Sequence, residues 1–192
     1  MRLLCLMLMA GAALAAPALT RPSKRDGDWR QDYEMVEETG FKVAGFNFAL
    51  DNKDWANEEK AHAQIWDYHG GDNQRFFVFN KLGDSGKTSN GDQLFRLMRK
   101  NSDFCLNFYH DRIRDDAVPH KDIDLLMVPC QEATEFFWAG DNLCAFVVMG
   151  KPYYCLELKG KKEMFYNGVP LVVNSQGFSR IRWEKVDPRT NG

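Results

Sequence analysis

One short apolar element occurs three times along the chain, and this repetition limits which folds the chain can adopt. The element is an aromatic residue, a small residue, leucine and then a carboxylate or amide: FALD at 48–51, FCLN at 104–107 and YCLE at 154–157. The copies lie roughly 50 residues apart, which is a spacing typical of repeat architectures. Each is followed by a second apolar run, QIWDY, LLMVPC or PLVVNS. Three such units predict a core with pseudo-threefold symmetry.

The sequence between these elements favours an all-β fold. Runs rich in Val, Ile, Phe, Tyr and Trp recur over residues 41–186, and clusters of Gly, Asn, Asp and Pro separate them. About eleven or twelve short strands separated by such turn-forming clusters are typical of a sandwich or barrel. An aromatic residue near the end of each unit is expected to close the core: Phe76, either Phe137 or Trp138, and Trp183.

The N-terminus indicates secretion. Met1-Arg2 precedes an uncharged apolar stretch over 3–16 that is too short to span a bilayer, and small residues follow it. We therefore predict a signal peptide over residues 1–18. Residues 19–40 are predicted to be a processed or extended acidic leader, in which Lys24-Arg25 is either a dibasic processing site or a pair of exposed charges. No later stretch predicts a transmembrane segment.

The charge of the mature chain argues against nucleic acid and anionic membranes as partners. Residues 1–25 contain four basic residues and no acidic ones, so their removal leaves 21 of the 25 basic residues against 27 acidic residues, a net charge of −6. Nucleic acid and anionic membranes both require a basic face. About 165 residues remain, enough for one domain with a substantial core.

Cysteine usage agrees with secretion. Cys5 leaves with the signal peptide, and an even number remains: Cys105, Cys130, Cys144 and Cys155. Two disulfides are expected in an oxidising compartment, and the sequence alone permits three pairings. The chain has no Cys-x-x-Cys pair, so a structural zinc site is not expected.

Motifs suggestive of catalysis lack the context that catalysis requires. The segment GDSGKTS at 83–89 resembles both a serine-protease nucleophile loop and a phosphate-binding loop, yet residues that either motif needs are missing. The four histidines show no metal-ligand spacing, and the acidic residues over 111–124 alternate with basic ones as in a solvated loop. We expect no enzymatic activity, no cofactor and no metal, and we interpret GDSGKTS as a polar connector.

The first unit carries a family resemblance. FALDN followed by AQIWDYHGGDNQRF resembles the repeat of the ricin B-type lectins, which fold as a β-trefoil. In that family a Cys-Leu-Asp element and a Gln-Leu-Trp-x-Cys element precede a Gln-x-Trp signature, for which the first unit has Gln74-Arg75-Phe76. Units two and three have Glu135-Phe136-Phe137 and Ile181-Arg182-Trp183 instead. The resemblance implies a β-trefoil domain of three four-strand repeats over residues 41–188.

The resemblance also implies how the cysteines pair. In the family, the cysteine of Cys-Leu-Asp bridges to a cysteine two residues past the tryptophan position, and Cys105 and Cys130 match these positions in unit two. Cys155 lacks its usual partner because Ser175 stands there, and Cys144 lies eleven residues upstream across a turn. We predict the disulfides Cys105–Cys130 and Cys144–Cys155.

A sugar site is implied in unit one. A sugar presents hydroxyls that carboxylates and amides bind, and an apolar face that an aromatic plane covers. The family uses four residues for this purpose, which match Asp51, Gln64, Trp66 and Asn73 here. Gly70-Gly71 is then the turn that brings Asn73 back beside Trp66 and Asp51. We expect Asp51 at the surface beside an exposed Trp66, and Asp51→Ala to leave the melting temperature nearly unchanged.

The other two units depart from this pattern. Their acidic position holds Asn107 and Glu157, and their stacking position holds Met127 or Val128 in unit two and Val173 in unit three. Sugar binding is not expected where no aromatic plane exists.

These observations predict a secreted lectin-like module whose partner is a glycan, for which a galactose-type sugar is one candidate. The module would act alone or as the targeting subunit of a toxin or enzyme. Two alternatives without sugar binding stay open: a trefoil that binds a protein chain, as in cytolethal distending toxin subunits, and a soybean-type Kunitz protease inhibitor.

Overall fold

A computed structural model describes residues 28–53, 58–108, 123–146, 154–160, 165–174 and 180–189. The predicted signal peptide, Lys24-Arg25, Ser175 and most of the acidic segment over 111–124 lie outside these residues. Within the described part, no helix is both long enough and apolar enough to cross a membrane.

Twelve strands occur in the described residues, and they divide evenly among the three units. Unit one contains β1 (Tyr33–Val43), β2 (Phe48–Asn52), β3 (Ala63–Asp67) and β4 (Phe76–Lys81). Unit two contains β5 (Phe95–Arg99), β6 (Phe104–Phe108), β7 (Ile123–Pro129) and β8 (Phe136–Ala139). Unit three contains β9 (Asn142–Ala145), β10 (Tyr154–Leu158), β11 (Val169–Asn174) and β12 (Trp183–Val186). Short 3-10 turns lie at Trp29–Asp32, Asp72–Gln74, Asp84–Gly86 and Cys130–Glu132.

The strands form an outer row and three hairpins. The first and last strands of the units pair in the antiparallel order β12–β1–β4–β5–β8–β9. The N–H of Trp183 in β12 donates to the carbonyl of Asp141 just before β9, at 2.8 Å, which brings the two ends of the row together. The middle strands form the hairpins β2–β3, β6–β7 and β10–β11, and β11 also pairs with β3 and β7. This is the arrangement predicted for a β-trefoil.

Equivalent side chains of the three units meet in one core. The leucines of the repeated elements are fully buried, and so are the residues opposite them in the hairpins: Leu50 with Ile65, Leu106 with Met127, and Leu156 with Val173. The closing aromatic residues of this core are Phe76, Phe136 and Trp183. Burying such side chains is the main stabilising contribution to the fold.

Phe136 occupies the closing position in unit two, so the prediction of Phe137 or Trp138 was wrong. Successive side chains of a strand point to opposite faces. Phe136 therefore points into the main core, whereas Phe137 lies in a separate cluster with Leu94 and the disulfide cysteines Cys144 and Cys155. Trp138 is only partly buried against the main core.

Both predicted disulfides, Cys105–Cys130 and Cys144–Cys155, are present. Cys144 and Cys155 lie directly opposite one another on the paired strands β9 and β10. Cys105 pairs in register with Val128, two residues before Cys130. Each bond therefore joins two adjacent segments of the sheet.

The sheet begins before residue 41, the start predicted for the domain. Residues Tyr33 to Thr39 of β1 pair with β4, so they belong to the folded unit. Trp29 and Tyr33 pack with Phe79 against the Cys105–Cys130 disulfide. The Tyr33 hydroxyl donates to Oε1 of Glu135 at 2.5 Å, and burial together with this hydrogen bond raises the pKa of Tyr33. The sequence signal was missed because Met35-Val36 and Glu37-Glu38 interrupt the alternation of apolar and polar residues that identifies a strand.

The segment GDSGKTS connects β4 to β5, in agreement with its interpretation as a connector. Its middle forms the 3-10 turn Asp84–Gly86. A Cβ atom on Gly86 would lie 2.2 Å from the carbonyl oxygen of Lys81, so glycine is required by the tight approach of two backbone segments.

Replacing Trp183 with alanine should lower the free energy of unfolding by about 3–5 kcal/mol, because a fully buried aromatic side chain would leave a cavity in the main core. Urea unfolding measures this change. Met35→Ala, at an exposed position on β1, should change the free energy by less than about 0.5 kcal/mol. Similar values for the two variants would contradict the core assignment.

Candidate functional site

The β2–β3 hairpin places three of the four predicted site residues on one face. Asp51 lies opposite Gln64, and Ala49 lies opposite Trp66. Because side chains alternate along a strand, these residues face away from Leu50, which points into the core. The FALD and QIW elements thus form the two strands of one hairpin, and their site residues share one face of it.

The fourth residue, Asn73, returns to this face through the Gly70-Gly71 turn. Gly70 has a φ of 63°, in the region that favours glycine. Asn73 then lies in the 3-10 turn Asp72–Gln74, where its Nδ2 donates to Oδ2 of Asp51 at 2.6 Å. The turn therefore does present Asn73 to the aspartate, as predicted.

Gln74 links this turn to the same aspartate. Its Nε2 donates to Oδ2 of Asp51 at 3.1 Å and to the carbonyl oxygen of Asp67 at 2.9 Å. Its Oε1 accepts the backbone N–H groups of His69 and Gly70 at 2.9 and 3.2 Å. The glutamine of the signature therefore shapes the loop that carries Asn73.

Asp51 is only 1% exposed, so its predicted place at the surface was wrong. Burial is possible because amide donors replace water around the carboxylate: Gln64 Nε2 donates to Oδ1 at 3.0 Å, and Asn73 and Gln74 donate to Oδ2. Trp66, by contrast, is 38% exposed. The site is a half-exposed indole next to a buried and fully hydrogen-bonded carboxylate.

Positive charge lies near the buried carboxylate. Arg99 on β5 is itself buried. Burial lowers the pKa of its guanidinium, while the charges of Asp72 and Asp51 oppose that shift. Arginine stays protonated under such conditions, so a positive charge lies on the buried side of the site together with the carboxylate.

His69 belongs to this site, although the sequence indicated only that it flanks Trp66. Its Nδ1 accepts the N–H of Gly71 at 3.1 Å, so in the neutral ring the proton is on Nε2. Nε2 lies 4.0 Å from Oδ2 of Asp51, and the imidazole is 39% exposed. The only sequence signal was its position three residues after Trp66 in a glycine-rich loop.

Arg75 holds the outer side of the loop. Its Nε donates to the carbonyl of Gly70 at 2.7 Å, and one terminal nitrogen donates to the carbonyl of Pro188 at 3.2 Å. The other terminal nitrogen lies 3.6 Å from Glu38, which also binds Lys100 at 2.8 Å. These contacts fix the loop before any ligand arrives.

One acceptor in the site lacks a partner. Oδ1 of Asn73 is buried and has no hydrogen-bond partner among the described residues. The amide cannot be flipped to correct this, because its oxygen would then face the carboxylate of Asp51 at 2.6 Å. A buried amide oxygen without a donor costs free energy, and because this atom is shielded from solvent, a ligand can reach it only if the atoms around it move.

Units two and three keep the polar anchor without the aromatic plane. Oδ1 of Asn107 accepts from the backbone N–H and the hydroxyl of Thr134 at 2.9 and 2.6 Å. Oε2 of Glu157 accepts the N–H of Arg180 at 3.0 Å.

The positions equivalent to Trp66 in these units are set by the strand register. Trp66 lies opposite Ala49, the small residue of the repeated element. The equivalent pairs are Val128 opposite Cys105 and Asn174 opposite Cys155. Of the two residues named for unit two, Val128 is therefore the one in register with the position of Trp66, and Met127 is not. Val173 in unit three is also wrong, because Met127 and Val173 both point into the core.

Replacing Asp51 with alanine should lower the free energy of unfolding by about 2–5 kcal/mol, because three amides would lose a buried charged acceptor. This replaces the expectation of an unchanged melting temperature. Asp103→Ala is the matched control: its exposed carboxylate binds only Arg30 in the described structure, so its loss should cost less than about 1 kcal/mol in urea unfolding. Equal stability of the two variants would contradict the buried network.

Solved structures of other proteins share the architecture, although no protein-family model and no curated protein matches the sequence. The β-trefoil lectin of the Vibrio vulnificus hemolysin/cytolysin, solved with N-acetyl-D-lactosamine bound, aligns over 78% of this chain and 93% of that chain, with 18% identity and a TM-score of 0.51. The Rhizoctonia solani agglutinin aligns over 79% of this chain and 95% of that chain, with 17% identity and a TM-score of 0.50. At these identities the likeness concerns the fold, and the chain is a β-trefoil of three four-strand units.

Proposed function

We propose that this protein is a non-catalytic carbohydrate-binding module with one sugar site, formed in unit one by Asp51, Gln64, Trp66 and Asn73. The observation that carries the proposal is the half-exposed indole of Trp66 on the same hairpin face as the hydrogen-bonded carboxylate. A plane next to oriented polar groups suits a ligand with an apolar face and a hydroxyl edge.

The buried carboxylate acts in this site by orienting amides. The amide nitrogens of Gln64 and Asn73 are committed to Asp51, so their oxygens are turned away from it. Gln64 and Asn73 are themselves buried, so a sugar hydroxyl reaches Oδ1 of Asn73 only when the atoms that shield it move. Because the carboxylate holds the hairpin and the 3-10 turn together, the plane of Trp66 is in place before a ligand binds.

His69 controls access to the carboxylate. Its half-exposed imidazole lies within 4.0 Å of Oδ2 of Asp51, whereas the carboxylate itself is almost completely shielded. A sugar hydroxyl that binds Asp51 directly must therefore displace this ring, and one that does not can bind Nε2–H of His69 in its place. A single site of this kind is expected to be weak, with a dissociation constant of the order of millimolar to tens of micromolar.

We include in the same proposal that the protein is secreted and that it acts with a second chain. The apolar N-terminal sequence and the two disulfides support secretion. Weak single-site binding supports a role in which a second chain supplies further contacts, such as the catalytic chain of a toxin or an enzyme. If the protein binds glycans tightly without a second chain, the proposed partner chain is not needed.

Trp66→Ala should abolish binding on a glycan array, because the apolar face of the sugar would lose the aromatic plane that lies beside the hydrogen-bonded carboxylate. Trp66→Phe keeps a plane and should retain part of the signal. Glu157→Ala changes the equivalent polar anchor of unit three and should bind as the parent protein does. Circular dichroism confirms that each variant is folded.

Two results would contradict the proposal. One is an unchanged array signal in Trp66→Ala. The other is a folded Glu157→Ala protein that has lost binding, which would locate the site in unit three.

A further inference from the structure

A turn of unit three lies against the indole of Trp66. The N–H of Gly168 donates to the carbonyl of Ile65 at 2.9 Å, which attaches this turn to β3. A Cβ atom on Gly168 would lie 3.6 Å from Cζ3 of Trp66 and 3.9 Å from Oε1 of Gln64. These are ordinary van der Waals distances, whereas the φ of 89° at Gly168 is a backbone conformation that favours glycine. The sugar site of unit one is therefore bordered by unit three.

An exposed polar pair joins the turn to the site. Oδ1 of Asn167 accepts the backbone N–H of Asp67 at 2.7 Å, and Nδ2 of Asn167 donates to Oδ2 of Asp67 at 2.8 Å. Both residues are exposed. Asp67 directly follows Trp66 in the chain, so carboxylate and amide groups lie immediately beside the indole.

A second exposed aromatic side chain, that of Tyr166, directly precedes Asn167 in the chain. Tyr166 is 55% exposed, although it adjoins a well-packed residue. Its neighbour Phe165 stacks on Phe46 at a centroid distance of 4.2 Å and lies 6.0 Å from Phe48. The turn is thus fixed at both ends, by aromatic packing at Phe165 and by backbone pairing at Gly168, while Tyr166 stays accessible to solvent.

We propose that the sugar site continues from Trp66 across Asp67 and Asn167 to Tyr166, and that the ligand is an oligosaccharide of at least two sugar units. The inference rests on the proposed function, since it takes Trp66 as the first stacking plane. Tyr166 is the second plane, and the carboxylate and amide between the two bind hydroxyls. The Cα atoms of Tyr166 and Gly168 are at most about 7 Å apart, because two residues separate them in the chain. Gly168 itself lies against the indole of Trp66. One short oligosaccharide can therefore reach both aromatic planes.

A glycan fits this surface better than a protein segment does. A protein interface buries a contiguous apolar core from which charged residues are depleted. Here an exposed carboxylate and an exposed amide stand beside the indole, and one hydrogen bond joins the two side chains. Alternating planes and polar groups match the alternating faces and hydroxyls of a sugar chain.

The test uses the mature protein on an array of matched mono- and disaccharides that share a terminal sugar, including galactose and N-acetyl-D-lactosamine. Titration of the bound pair by calorimetry then gives both affinities. The parent protein should bind the disaccharide about three- to tenfold more tightly than the monosaccharide. Tyr166→Ala should lose this gain while binding the monosaccharide unchanged, and Tyr166→Phe, which keeps the plane, should preserve the gain.

The outcomes separate this inference from the proposed function. Two outcomes would contradict the role of Tyr166 as a second plane without affecting the proposed Trp66 site. One is equal affinity of the parent protein for the monosaccharide and the disaccharide of a pair. The other is an unchanged disaccharide affinity in Tyr166→Ala. Absence of any array signal, or binding that survives Trp66→Ala, overturns both. Because Tyr166 is largely exposed, its substitution is expected to leave folding intact, which urea unfolding verifies.

Discussion

The buried carboxylate of Asp51 is the interaction on which the first unit depends. It joins three segments, since its hydrogen-bond donors come from β3 and from the 3-10 turn, while Asp51 itself lies on β2. A charge can be buried in this way only when donors replace the water that it loses, and the nearby guanidinium of Arg99 adds a favourable charge. The same contacts that stabilise the hairpin therefore orient the amides of the proposed sugar site.

The residue after leucine in each repeated element has this anchoring role in all three units. Asn107 binds Thr134, and Glu157 binds the backbone of Arg180, in both cases just before the aromatic residue that closes the core. The carboxylate or amide at this position is therefore part of the fold itself. Unit one differs because a half-exposed tryptophan stands beside this polar residue. Ligand binding in unit one would therefore be a second role for a residue that already stabilises the fold.

The threefold arrangement also explains how one unit can complete the site of another. Strand β11 of unit three pairs with β3 of unit one, which places the Asn167-Gly168 turn next to Trp66. A chain with isolated units would leave the indole bordered only by its own hairpin. Contact between units thus creates a surface that no single repeat contains.

The sequence by itself determined the all-β class and the three units, because these depend on the periodicity and spacing of apolar residues. The family resemblance added the disulfide pairing and the grouping of Asp51 with Gln64. The tertiary structure decided what periodicity does not encode. Whether Asp51 is exposed depends on the donors that surround it, and whether Phe136 or Phe137 closes the core depends on a one-residue register that reverses the two faces of a strand. The contact between the turn at Gly168 and Trp66 joins residues about a hundred positions apart, and only the packing of complete units brings them together.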